Sequence, residues 1–168
     1  TRAAGSPVRE GLDRTLSRIR TIARVHEQLY HGSSLVRIDV ASYLQGLIAD
    51  IAAAYDLYGR ITLESELAEV SADIDHTIPL GLMVHELLAN CYQHAFPDPG
   101  RGAITLSLTL SDETLVLEIT DDGVGTQPAP GGEEPHIGRT LVQALARQIE
   151  GEVETHDEHG TSVTVRVQ

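Results

Sequence analysis

One stretch limits what this chain can become: residues 79–96, PLGLMVHELLANCYQHAF, which carry two periodicities at once. Leu80, Met83, Val84, Leu87, Leu88 and Cys91 recur at helical spacing and define a buried face. Glu86, Asn90 and His94 recur at i, i+4 and i+8, a polar stripe along a neighbouring face. A polar stripe beside a core face suits a helix that walls a cavity. The same pattern also describes a helix with one solvated side, and the stretch alone does not choose between them.

The flanking sequence supplies the rest of a domain. Residues 7–30, PVREGLDRTLSRIRTIARVHEQLY, predict a long amphipathic helix with Val8, Leu12, Leu16, Ile19, Ile22, His26 and Leu29 along one face and Pro7 in its first turn. Such a helix needs a partner to bury its stripe. His26 on that face reads as a packed or partner-facing residue, and His31 as an exposed loop residue. After the break Gly32-Ser33-Ser34, Asp39 caps a helix over 40–56 that turns Val40, Tyr43, Leu44, Leu47, Ile48 and Ile51 to one side. The domain boundary is placed near residue 37, which divides the chain into 1–37 and 38–168.

Residues 60–67 alternate like a strand with one wet face. SADIDHTIP then reads as a polar connection, with His76 as a surface or capping residue, and Pro97-Asp98-Pro99-Gly100 stops the central helix. Residues 103–110 and 114–121 predict a hairpin around Ser-Asp-Glu. Residues 126–136, TQPAPGGEEPH, have no periodicity and read as an acidic loop. A helix over 138–150 with Leu141, Val142, Leu145 and Ile149 inward, ended by Gly151, leads to strands near 152–156 and 161–167. The sum is an α+β fold: a two-layer α/β sandwich, a mixed sheet with three helices on one face, preceded by a long helix.

Charge narrows the partners. Lys and Arg number 12 against 25 Asp and Glu, a net charge of −13, so a duplex nucleic acid would be repelled. The single Cys91 reads as a small core residue and permits no disulfide framework. No apolar run approaches the roughly 20 residues that cross a bilayer, and no signal-peptide pattern starts at Thr1. The expectation is a cytosolic segment without membrane contact.

Four pieces in order carry a resemblance. HELLANCYQHAFP resembles an N box, DDGVG a first glycine box, HIGRTLV a second, and Gly160-Thr161 a final Gly-Thr element. Together they resemble the catalytic ATP-binding region of two-component sensor histidine kinases, within the GHKL superfamily of ATPases, whose domain has the Bergerat fold. The HAF ending and the upstream RIRTIARVHEQLY are similar to kinases with an HHRVKNN-type acceptor helix, the HisKA-2 type related to the HWE kinases. The HWE class proper carries a Trp-x-Glu, and this chain has no Trp.

The resemblance implies a set of roles. ATP and Mg2+ are the expected cofactors, a response-regulator receiver domain the expected protein partner, and a homodimer through the helical hairpin the expected assembly of the full-length protein. Residues 7–30 would be the second helix of that hairpin; no HHRVKNN-like stretch occurs in these 168 residues, so the acceptor helix is expected outside them. Asp121 would accept a hydrogen bond from the adenine amino group, with Gly123 and Gly125 letting the backbone pass close to the base. Asn90 would ligate Mg2+ through its carbonyl oxygen. Glu86 would orient or deprotonate the nucleophile, or hold a metal-bound water, and His94 would donate to a phosphate or stack at the pocket edge.

Gly138 would open a helix N-terminus to the phosphates, and Thr161 would line the adenine pocket with its hydroxyl. Four positions depart from the family pattern: Asp122 where Asn is frequent, Gln93 where Lys is frequent, His136 where the first glycine of the second box is usual, and Arg139 where an apolar residue is usual. Either Arg139 contacts the phosphates and restores the charge lost at Gln93, or the lid formed by 126–136 is repacked and ATP binds weakly. The rival readings are another GHKL enzyme, such as an anti-sigma-factor serine kinase, and a degenerate nucleotide-binding scaffold.

Overall fold

A computed structural model describes residues 37–56, 59–97, 100–125, 137–157 and 159–168, together with the single position Ile19. The helix expected over 7–30, with His26 and His31, and the loop 126–136 lie outside the described residues. In chain order the elements are β1 (Ile38–Asp39), α1 (Val40–Tyr55), β2 (Ile61–Leu67), β3 (Ser71–Ala72), α2 (Ile74–Asn90), a π-helical turn (Cys91–Ala95), β4 (Gly102–Ser111), β5 (Thr114–Asp121), α3 (Ile137–Gln148), β6 (Glu152–Asp157) and β7 (Thr161–Val167).

Five strands form one sheet in the order β2-β4-β5-β7-β6, with β2 and β4 parallel and every other pair antiparallel. The period of two along β4 turns Ile104, Leu106 and Leu108 into the core and leaves Thr105 and Thr109 exposed. Across the ladder Leu106 faces Ile119 and Leu108 faces Leu117, so the apolar rows of β4 and β5 share one face. That face packs against α1, α2 and α3, as expected for a two-layer sandwich. Full burial of each Leu, Ile or Met there contributes about 1.5–3 kcal/mol, and this burial is what holds the layers together.

Helix α2 is the centre of the core. Leu80, Met83, Val84, Leu87, Leu88 and Cys91 are all buried, as their spacing predicts. The helix begins earlier than the sequence suggests, at Ile74 rather than near 79, because Asp73 caps it: Oδ1 accepts the His76 backbone N–H at 3.0 Å. Pro79 therefore lies inside the helix. It forfeits one backbone bond to the carbonyl of the exposed Asp75, which water can satisfy, so the interruption is tolerated. The segment expected to be an irregular connection also supplies β3, which pairs with β1 through Ile38 and Ala72.

The helix ends differently too. Regular α-geometry stops at Asn90, and Cys91–Ala95 widen into a π-turn. The α-helical spacing read from the residues runs through this stretch without marking such a turn, which is rare. The β4–β5 hairpin turns at Asp112 (φ 49°) and Glu113 (φ 66°), both left-handed as a two-residue turn of this kind requires. Helix α3 is closed by Glu150 in the left-handed conformation (φ 55°), not by Gly151, whose N–H bonds back to the Ala146 carbonyl at 2.8 Å.

Candidate functional site

Asp121 is an anomaly of the strand pattern. It ends β5 on the apolar face, opposite Ile104, and only 3% of its surface is exposed. Burying a carboxylate is costly unless donors surround it. Three do: Oδ1 accepts the backbone N–H of Gly123 at 3.0 Å and of Thr161 at 3.3 Å, and Oδ2 accepts the Cys91 thiol at 3.4 Å. Burial, reinforced by the Asp121 charge, pushes the Cys91 thiol well above its ordinary range, so the sulfur keeps the proton it donates.

The turn after β5 is fastened to the end of α2. The Val124 N–H bonds to the Ala95 carbonyl at 3.0 Å, and Gly123 sits so near that a Cβ would overlap that carbonyl and lie 2.6 Å from the Ala95 Cβ. Asp122, where the family often has Asn, closes the sheet: its Oδ1 accepts the Ala103 N–H at 2.7 Å. Gly125 (φ +70°) and Gly160 (φ +102°) meet at the same place, and a Cβ at Gly160 would overlap the Asp121 carbonyl oxygen. Thr161 thus meets Asp121 through its backbone N–H.

A second group forms where α3 crosses α2. Glu86 is buried (4% exposed), Asn90 half-buried and His94 exposed, so the predicted stripe rises from core to surface. Gly138, in the first turn of α3, is buried against them: a Cβ there would overlap Glu86 Oε1 and lie 3.0 Å from Asn90 Nδ2. Arg139 follows on the exposed side. The two groups are neighbours, because Cys91, which touches Asp121, directly follows Asn90. His94 is carried by the π-turn.

Sequence reasoning missed Cys91 as a partner of Asp121 and the Ala95 carbonyl as the anchor of the glycine turn. A small residue on an apolar face carries no polar signal, and a backbone carbonyl carries none at all. Among the described residues no three His, Cys, Asp or Glu side chains are grouped to hold a metal. The side-chain carbonyl oxygen of Asn90 is nevertheless a donor of the kind Mg2+ takes, phosphate and water completing such a shell. A cavity of about 500 Å3 between α1 and β2, lined by Ile48, Ala52, Asp56, Ile61, Leu63 and Tyr92 among others, contains none of the predicted site residues. No helix among the described residues is long and apolar enough to cross a membrane.

Comparison with known proteins gives the family. Residues 51–167 match the family described as histidine kinase-like ATPase domain, and residues 1–55 match one described as histidine kinase. Blue-light-activated histidine kinase 2 of Erythrobacter litoralis is 33% identical over 118 residues, 67% of this chain and 34% of that protein. Sensor histidine kinase PdtaS of Mycobacterium tuberculosis is 30% identical over 176 residues, 99% of this chain and 34% of that protein. The chain therefore spans about a third of the length of these relatives. In fold it is similar to the histidine kinase domain of the Erythrobacter litoralis EL346 blue-light activated histidine kinase, with a TM-score of 0.82 at 23% identity, covering 92% of this chain and 74% of that one. With more than half of its residues matched, the chain belongs to the family of histidine kinase-like ATPase domains.

Proposed function

We propose that the chain is the ATP-binding catalytic domain of a sensor histidine kinase. It transfers the γ-phosphoryl group of ATP to a histidine on another helix, from which a response-regulator aspartate receives it. The observation that carries this reading is the buried carboxylate of Asp121, held by Gly123, Thr161 and Cys91 at the end of β5. A fully buried carboxylate is costly to maintain, and an adenine amino group is a ligand that repays it with a charge-assisted hydrogen bond of about 1.5–3 kcal/mol. The match of residues 1–55 to a histidine kinase family favours this reading over a serine kinase of the same superfamily.

In the reaction an imidazole nitrogen attacks the γ-phosphorus, the bond to the β,γ-bridging oxygen breaks, and ADP leaves with that oxygen while the imidazole gives up its N–H proton. Such transfer depends mainly on positioning and charge stabilisation. Glu86, buried beside Gly138, orients the imidazole or takes its proton. Asn90 would hold Mg2+, which when bound offsets the charge on the phosphates. Gly138 presents the N-terminus of α3 to the phosphates, and Arg139, exposed one residue on, supplies a cation that Gln93 does not. His94 borders the pocket on its open side. Residues 38–168 form the catalytic unit, a reading supported by the core cluster that runs from Ile38 to Val167 among the described residues. Residues 1–37 belong to the dimerising hairpin.

Calorimetric titration of the chain with Mg-ATP tests the reading. Wild type should bind, and Asp121→Asn and Asn90→Ala should each bind at least tenfold more weakly. Absence of heat from wild type would instead support a scaffold that has lost its nucleotide.

A further inference from the structure

The hydrogen bonds to Asp121 are unevenly divided. An ionised carboxylate offers about four acceptor positions. Oδ1 takes the two backbone donors, Gly123 and Thr161, while Oδ2 takes only the Cys91 thiol among the described residues. The backbone donors pin one oxygen, yet a carboxylate pinned at one oxygen can still turn its plane. The second oxygen is fixed by the side chain of Cys91 alone, from the π-turn that also carries the Ala95 carbonyl holding the glycine turn. Remove that donor, and Oδ2 keeps its burial but loses the group that orients it.

We infer that Cys91 is a positioning and specificity-determining residue: its S–H fixes the plane of the Asp121 carboxylate so that the remaining acceptor site on Oδ2 faces the amino group of a 6-aminopurine. The inference deepens the proposed function and rests on Asp121 as the adenine reader. It gives the chain's one cysteine a role that its helical spacing alone assigns to the core. A 6-oxo purine presents an acceptor where the 6-aminopurine presents a donor, so a carboxylate held in this plane rejects it. A carboxylate free to turn discriminates less. The thiol is a weak donor, and a hydroxyl at the same position would serve in its place.

The test titrates the 168-residue chain with Mg-ATP and Mg-GTP in four forms: wild type, Cys91→Ala, Cys91→Ser and Asp121→Asn. Thermal melts confirm that each form is folded. Cys91→Ala should bind ATP about three- to tenfold more weakly, as expected for a lost hydrogen bond, and its preference for ATP over GTP should narrow. Cys91→Ser should restore both quantities to within about twofold of wild type, since the hydroxyl donates where the thiol did. In wild type the infrared S–H stretch should shift when ATP binds, and Asp121→Asn should move it in the free protein.

If Asp121→Asn loses ATP while Cys91→Ala keeps wild-type affinity and preference, Cys91 is packing alone and the inference is overturned. It is overturned equally if Cys91→Ser fails as badly as Cys91→Ala. If Asp121→Asn binds ATP like wild type, the adenine-reading role itself is wrong and the inference falls with it.

Discussion

Gly138 on α3 lies against Glu86 on α2 with no room between them for a methyl group, which would overlap Oε1 and come within 3.0 Å of Asn90 Nδ2. Replacing Gly by Ala inside a helix ordinarily stabilises it by about 0.5–1 kcal/mol. Here the gain is opposed by an overlap of roughly 1–3 kcal/mol, softened because the Glu86 carboxylate can swing. Gly138→Ala should therefore fold, with a small net loss of stability, and the displaced Glu86 and Asn90 should lower Mg-ATP affinity by about tenfold, which is about 1.4 kcal/mol. A thermal melt paired with calorimetry checks both halves. Unchanged affinity would separate the α3 N-terminus from the nucleotide.

Gly160 tests a different constraint. Its φ of +102° strains any other residue, and a Cβ would overlap the Asp121 carbonyl and stand 2.8 Å from its carbon. Backbone atoms at a strand end cannot swing aside. Gly160→Ala should cost about 2–4 kcal/mol of unfolding free energy, read by urea denaturation. Gly59 provides the control: its φ is +61°, with nothing among the described residues within 4 Å of a Cβ, so Gly59→Ala should cost only about 1–2 kcal/mol. Equal losses would mean that the close approach to Asp121 is not enforced.

The parts of the fold set by periodicity were readable from the residues, and the parts set by geometry across elements were not. Spacing alone places Val40, Tyr43, Leu44, Leu47, Ile48 and Ile51 inward on α1, and all six are buried. Alternation marks β2, β4 and β5 to within about a residue. The start of α2 was missed because Pro79 reads as a boundary, while the cap that decides the matter is Asp73, six residues earlier. The π-turn was missed because no residue type marks it. Within the site, Asp121 and its glycines were named by resemblance, but the bonds that make the carboxylate tenable come from Cys91 and the backbone of Thr161, 30 and 40 residues away in sequence. Contacts of that range leave no local pattern.

Acid should loosen α2 at its first turn. The His76 side chain, 2.7 Å from Asp73 Oδ1, and the His76 backbone N–H hold the Asp73 carboxyl below its ordinary range. A carboxyl depressed in the folded state contributes its full stability above the unfolded pKa and loses it as pH falls through the lower folded value. Stability should therefore decline below about pH 4, the ordinary range of an Asp. Asp73→Ala should lose about 0.5–2 kcal/mol at neutral pH, the usual cost of an N-cap, and show a shallower acid decline than wild type. Asp73→Asn should keep most of the cap and share the shallow profile. Urea titrations at pH 3, 5 and 7 decide it, and parallel acid profiles for all three proteins would remove Asp73 from the account.

Phosphoryl transfer requires an imidazole seated in line with the γ-phosphate, and positioning accounts for most of the rate. The 168 residues include eight histidines but no HHRVKNN-like stretch. Of these, His85 is packed into the core, and His76 is engaged at the cap of α2. His94 stands at the exposed end of the N box. The chain should accordingly bind Mg-ATP without phosphorylating itself. Incubation with γ-labelled ATP, followed by electrophoresis at neutral and acid pH, should leave no acid-labile label on the protein while calorimetry records binding. Acid-labile label that disappears in His26→Ala would show that the acceptor lies on the 7–30 segment, and would reverse the assignment of that segment to the non-phosphorylated helix of the hairpin.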